Sequence, residues 1–249
     1  MSGPPQEATR ATTATLGRKL VAEALGTALL LATVVGSGIM GEQLSRESAG
    51  VALLANTVAT GAALVALLLS FGPVSGAHFN PVVTLMAAME RRLVWREVPG
   101  YFGAQIGGAF AGVAIAHLMF EKPILFASKH ARGGGAQLFS EFVATFGLLA
   151  VILACSRRRP AAVPYAVGAY ITAAYWFTAS TSFANPAVTL ARSMTDTFSG
   201  IRPGDVPGFV VAQLVGATAA TALLRWLVPP LPEGADATDN ATTPPEETE

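Results

Sequence analysis

Residues 185–190 read NPAVTL, inside the stretch TSFANPAVTLARS at 181–193, and residues 80–85 have already read NPVVTL. Both phrases fall where an apolar run is interrupted. Pro at the first helical position loses no hydrogen bond and fixes the entry angle of the chain. Asn just before it can cap the helix, which leaves amide protons free to donate. Each phrase therefore starts a helix. The helices that follow, over roughly 80–89 and 185–195, are shorter than the ~20 apolar residues that a bilayer crossing takes. Short helices of this kind survive at membrane depth only if they are buried in protein or line a water-filled path.

The surroundings of the two phrases echo each other as well. AEALGT at 22–27 matches SEFVAT at 140–145, each with an early acid, Glu23 and Glu141. VPGYFGAQIGGAFAG at 98–112 matches VPGFVVAQLVGATAA at 206–220. Six segments are long and apolar enough to span, at about 19–40, 51–71, 98–120, 136–155, 163–180 and 206–228. Each half thus reads span, span, short helix, span. Three spans is an odd number, so the second half must enter the membrane from the opposite side. The result is an inverted repeat with its site at the midplane. Ala104, Gly108 and Gly112 match Ala212, Gly216 and Ala220, a spacing that lets helix backbones approach closely. The expected fold is an all-α membrane protein with six transmembrane helices and two re-entrant half-helices.

Composition agrees. Of 249 residues, 52% are hydrophobic and 13% charged, against about 25% charged in soluble domains. The net charge of zero points to no nucleic acid. The single cysteine, Cys155, rules out a disulfide framework or a multi-thiol metal site. No nucleophile–base pair, metal-ligand spacing or phosphate loop is present, so no enzyme activity, metal or cofactor is expected. Placing the termini inside puts 10 Lys and Arg in cytoplasmic segments against 6 outside, with Arg157-Arg158-Arg159 as the clearest anchor. Both termini are therefore expected in the cytoplasm, in a multi-pass inner-membrane protein. Trp95, Trp176 and Trp226 fall near span ends as interfacial anchors. Residues 1–18 are expected to be unstructured, 19–230 to form the membrane domain (repeats at about 19–120 and 136–228), and 231–249, with six acids and no base, to be a disordered tail.

On both Asn-Pro boxes, on SGAHFNP at 75–81 and on the paired Glu helices, the chain resembles the aquaporin and glycerol-facilitator family, the major intrinsic proteins, over about 19–228. The resemblance implies a homotetramer with one pore per subunit. Family members carry Asn-Pro-Ala twice; here the boxes are Asn80-Pro81-Val82 and Asn185-Pro186-Ala187. Members usually place Arg directly after the second box, at the narrowest constriction, where this chain has Val188. By the same resemblance Thr60 takes a position that is a bulky aromatic in water-selective members, and Ser182 takes the loop position. The fifth-span position falls on Ala173 or Tyr175, with Tyr175 preferred. Thr, Ser and Val are smaller than the residues they replace, so the filter is expected to be wider and less polar.

Arg192 lies one turn beyond Val188 on the same helical face. It could serve the outer vestibule, pair with Asp196, or snorkel to the interface. Glu23 and Glu141 are membrane-embedded acids, functional candidates by default. They either brace the loops before the half-helices, the preferred reading, or couple a transporter to protons. His78 is expected in the pore-lining loop as a hydrogen-bonding residue, with a pH gate as the alternative. The reading is a passive channel for small uncharged solutes (glycerol-like polyols, urea, undissociated metalloid acids such as arsenous acid) and water, with the lipid bilayer as its other partner. Its rivals are a water-selective channel with an unusual filter, a proton-coupled transporter using Glu23 and Glu141, and a closed scaffold.

Overall fold

A computed structural model describes residues 14–45 and 48–229. Among the described residues eight α-helices follow one another: α1 (Leu16–Ser45), α2 (Ala49–Ser75), α3 (Pro81–Met89), α4 (Val98–Met119), α5 (Gly135–Arg158), α6 (Val163–Phe177), α7 (Pro186–Arg192) and α8 (Val206–Leu227). Helices α1, α2, α4, α5 and α8 are long and apolar enough to cross a membrane. The fifth expected span, α6, has only 15 residues, about 22 Å at 1.5 Å per residue. It stops at Phe177 because Thr178 turns extended (φ −106°, ψ 136°), and a short 3-10 turn at Pro160–Ala162 leads into it. α1 is longer than expected at both ends. Lys19 stays helical there and meets Glu97 at 3.3 Å. Of the expected unstructured segment 1–18, residues 1–13 lie outside the described residues, and Leu16, Gly17 and Arg18 are already helical as the start of α1. The acidic tail lies wholly outside them.

Packing obeys the repeat. α1 sits against α2 and α4; α5 sits against α6 and α8. The small-residue stripes make these close approaches. A Cβ on Gly108 would lie 2.2 Å from the Ala24 carbonyl oxygen, and one on Gly216 would lie 2.5 Å from that of Phe142. Both contacts are with backbone, so neither glycine can be enlarged without moving a helix. The halves meet where α2 crosses α6: a Cβ on Gly61 would lie 3.2 Å from the Gly168 oxygen, and one on Gly168 would lie 2.8 Å from the Gly61 oxygen. That reciprocity is what a pseudo-two-fold axis between the helices requires. Each half-helix packs on the last span of both halves, α3 on α4 and α8, α7 on α8 and α4.

One core runs through both halves, from Leu31 and Val35 to Leu149 and Leu153. The outer faces carry large exposed apolar side chains such as Val58, Phe139 and Val211, as a lipid-facing surface does. Trp95, Trp176 and Trp226 are exposed in the turn before α4, at the end of α6 and at the end of α8. Arg157 is more than a topology marker. It is buried, pairs with Glu90 and donates to the Leu224 carbonyl at 2.6 Å. Arg225 grips Glu90 as well, at 2.8 Å. The two arginines tie the ends of α5 and α8 to the residue that ends α3.

Candidate functional site

The two half-helices start at the centre of the molecule, and the sequence explains how. Asn80 and Asn185 are extended N-caps (φ −155° and −158°) whose side-chain oxygens accept from Val82 N and from Ala187 N and Val188 N. Pro81 and Pro186 occupy the first helical positions, where the missing N–H costs nothing. Ahead of each Asn the chain enters the left-handed region, at Gly76, Ala77 and Phe79 in one loop and at Thr181, Ser182 and Ala184 in the other. Non-glycine residues pay strain there, so something must hold them.

Glu23 and Glu141 do that. Glu23 Oε1 accepts from Ser75 Oγ at 2.6 Å and from His78 N at 2.9 Å; its Oε2 accepts from Phe79 N at 2.7 Å and Gln105 Nε2 at 2.8 Å. Glu141 accepts from Phe183 N and Ala184 N, both at 2.9 Å, and from Gln213 Nε2 at 2.6 Å. Both carboxylates are fully buried, and charge-assisted bonds of this kind are roughly twice as strong as neutral ones. Gln105 and Gln213, which sequence reasoning missed, also donate to Thr84 Oγ1 and Thr189 Oγ1. The signal was the shared Ala-Gln within the echo at 98–112 and 206–220.

The loops are then clasped together. Asn80 Nδ2 donates to the Ala184 carbonyl and Asn185 Nδ2 to the Phe79 carbonyl, each at 2.8 Å. The expectation of fully free amides needs correction: one proton of each amide is spent on the opposite loop, and the second remains.

Alongside the clasp runs a cavity of about 550 Å³. At the face where the termini lie it is bounded by Arg92, Leu93 and Pro160. It then passes His78, Asn80 and Asn185. At the other end it meets Thr60, Tyr175, Ser182, Val188 and Arg192. Tyr175 lines it and Ala173 does not; Tyr175 Oη lies 3.4 Å from Thr60 Oγ1. Pro81, Val82, Pro186 and Ala187 stand behind the asparagines, outside the lining, as do Glu23 and Glu141. His78 Nδ1 is 3.1 Å from Thr84 Oγ1. Thr84 Oγ1 also lies 3.2 Å from the Asn80 carbonyl. The lining also includes apolar side chains, Leu64, Val83, Leu148 and Ile171 among them. A lining that combines a few polar groups with apolar side chains suits a small polar solute with a carbon backbone.

Arg192 does not pair with Asp196, whose Oδ1 accepts from Lys129 N at 2.8 Å, nor does it snorkel, being 2% exposed. Its Nε donates to the Ser199 carbonyl, and its guanidinium carbon sits 3.4 Å from the centre of the Phe183 ring. Arg132, another residue that sequence reasoning missed, approaches the same ring at 5.0 Å. It donates to the Gly200, Ser180 and Phe198 carbonyls. The connection that carries it, between α4 and α5, has no repeat partner, so nothing in the sequence pattern marks it.

Comparison with known proteins is consistent with this geometry. The family model described as Major intrinsic protein matches residues 10–177 and 157–247. The chain is 60% identical to aquaglyceroporin AqpS of Rhizobium meliloti (strain 1021) over 215 residues, 86% of this chain and 92% of that one. It is 33% identical to aquaporin NIP1-3 of Oryza sativa subsp. japonica, across 71% of this chain and 64% of the plant protein. The aquaglyceroporin of Plasmodium falciparum superposes with a TM-score of 0.65 over 84% of this chain and 96% of its own, at 21% identity, which speaks for the fold alone.

Proposed function

The chain belongs to the major intrinsic protein family, a family of channels for water and small solutes such as glycerol, and on that premise we propose that its central cavity is a passive path with a filter wider than a water-only pore. The observation that carries this is the cavity end formed by Thr60, Tyr175, Ser182 and Val188. No cation stands at position 188, and no aromatic stands at 60. The amides of Asn80 and Asn185 offer donors at the midpoint, and the apolar side chains of the lining accommodate a carbon backbone. Polyols, urea and undissociated metalloid acids such as arsenous acid are the solutes we assign to it, on the small side chains at 60, 182 and 188 and the donors at the midpoint.

A proton-coupled role for Glu23 and Glu141 draws no support from their placement. Neither lines the cavity, and their oxygens are occupied by loop and glutamine donors. We assign the chain to the inner membrane with both termini in the cytoplasm, from the distribution of Lys and Arg, and we assign a homotetrameric assembly from the family. Light scattering on the detergent-solubilised protein tests the assembly.

The test of the function is stopped-flow light scattering on proteoliposomes. Water, glycerol, urea and arsenous acid fluxes are compared for the native chain and Val188→Arg. Flux of the larger solutes in the native chain, suppressed by the added Arg, supports the wide filter. Water flux alone, unaltered by the substitution, overturns it.

A further inference from the structure

Resting on the channel reading, we propose that Arg192 is the charge-selecting donor of this filter, set one helical turn beyond the position at which the charge is absent. Arg192 lines the same cavity as Tyr175, Ser182 and Val188. Its Nε is bound to the Ser199 carbonyl, and that segment is itself fixed by Ser199 Oγ donating to Val34 O at 2.9 Å. Its guanidinium lies on Phe183, a ring held in turn by its own N–H on Glu141 and by an edge contact with Phe209 at 5.3 Å. Two fixed groups therefore aim the side chain.

The free end of the guanidinium decides the matter. No hydrogen bond within the described residues uses its Nη1 or Nη2, and none of the ion pairs there includes Arg192. Yet neither nitrogen is among the sealed polar atoms that lack a partner. In a side chain this buried, they therefore touch open space, and the cavity is the space that Arg192 lines. A guanidinium with no carboxylate is a costly thing to bury. It is tolerated where water or a permeant completes its shell. Arg132 differs: its nitrogens are taken up by backbone carbonyls. It adds positive field near the mouth without presenting donors.

Charge selection and size selection are consequently carried by different side chains. The backbone of Arg192 lies about one turn, ~5.4 Å, beyond that of Val188, and its guanidinium, held on Phe183 beside Ser182, supplies the charge, while Thr60, Tyr175 and Val188 set the width. The two should be separable by mutation.

The experiment uses full-length protein in proteoliposomes, with glycerol swelling and proton flux under a clamped potential read on the same vesicles. Arg192→Met is expected to raise proton leak at least about threefold and to shift the glycerol-to-water flux ratio at least about twofold. Arg192→Lys should restore exclusion. Glycerol flux and proton leak both as in the native chain would overturn the proposal. If Arg192→Met fails to fold, Arg192→Lys decides alone: it keeps the charge but loses the fork, so tight exclusion with a glycerol-to-water ratio changed at least about twofold supports the proposal, and an unchanged ratio overturns it. Failure of the native chain to pass any solute sinks the channel reading instead, a different result from either.

Discussion

Asn80 and Asn185 hold one another's loops: each donates its amide nitrogen, at 2.8 Å, to the carbonyl that directly precedes the other, Ala184 and Phe79. The clasp joins the two halves at the point where both half-helices begin. It also fixes the direction of the second amide proton of each side chain. Capping, inter-half adhesion and presentation of a donor are thus done by the same two side chains.

Asn185→Ala removes the cap of α7 and one arm of the clasp. A lost N-cap costs about 0.5–2 kcal/mol, and leaving the Phe79 carbonyl without its donor adds about 1–3 kcal/mol. Thermal unfolding in detergent should fall by several degrees, and solute flux should drop even in the fraction that stays folded. A variant as stable and as conductive as the native chain would show that the clasp is incidental.

Glu23→Gln and Glu141→Gln should both destabilise, Glu23→Gln more. Each swaps two acceptor oxygens for one oxygen and an NH2 that faces loop N–H groups. Breaking a buried charged network of this kind costs about 3–5 kcal/mol. Glu23 serves Ser75, His78, Phe79 and Gln105, whereas Glu141 serves Phe183, Ala184 and Gln213. Folded yield and melting temperature measure this. Normal folding with a flux that loses its dependence on a proton gradient would point instead to coupling carboxylates.

Glu90 gives the molecule a pH dependence on the terminal face. Burial alone would raise its carboxyl, but the hydrogen bonds from Arg225 and Arg157 outweigh it and hold the pKa below the ordinary value. A depressed folded-state pKa means stability that is complete above the unfolded value, about 4.3 for Glu, and that is lost as pH falls through the folded value. The melting temperature should therefore be flat from pH 7 to about 5 and decline below that. In Glu90→Gln the decline should be shallower and the plateau lower. Parallel curves would mean that other acids set the acid limb.

What could be read from the chain follows from what repeats. The Asn-Pro boxes, the two acids and the small-residue stripes each occur twice in register, and a side chain that occurs twice at equivalent places needs one explanation for both. Residues without a counterpart are different. Arg132 comes from an irregular connection, and its partners Ser180, Phe198 and Gly200 are brought to it by tertiary folding. Arg192 shows a spacing of four from Val188, but its direction depends on Ser199 and Phe183, which no periodicity relates to it. Tyr175 and Ala173 compete in the sequence because the length of the following loop sets the register. They separate only when α6 is laid against α2 and Tyr175 meets Thr60.

That contact supplies the sharpest test of where the channel is narrow. Thr60 is 3% exposed and lines the cavity beside Tyr175, so a larger side chain there has no route but into the lumen or against the Tyr175 ring. Thr60→Phe adds aromatic bulk at the level of Val188. If that level sets the width, glycerol and urea flux should fall about tenfold or more while water still passes, since selection follows pore diameter. The substitution also overpacks a buried site, at a cost of about 1–3 kcal/mol, so melting temperature is measured on the same preparation. A folded Thr60→Phe that passes glycerol as before would move the constriction inward, to the Asn80–Asn185 clasp, where the donors rather than the walls would then decide what crosses.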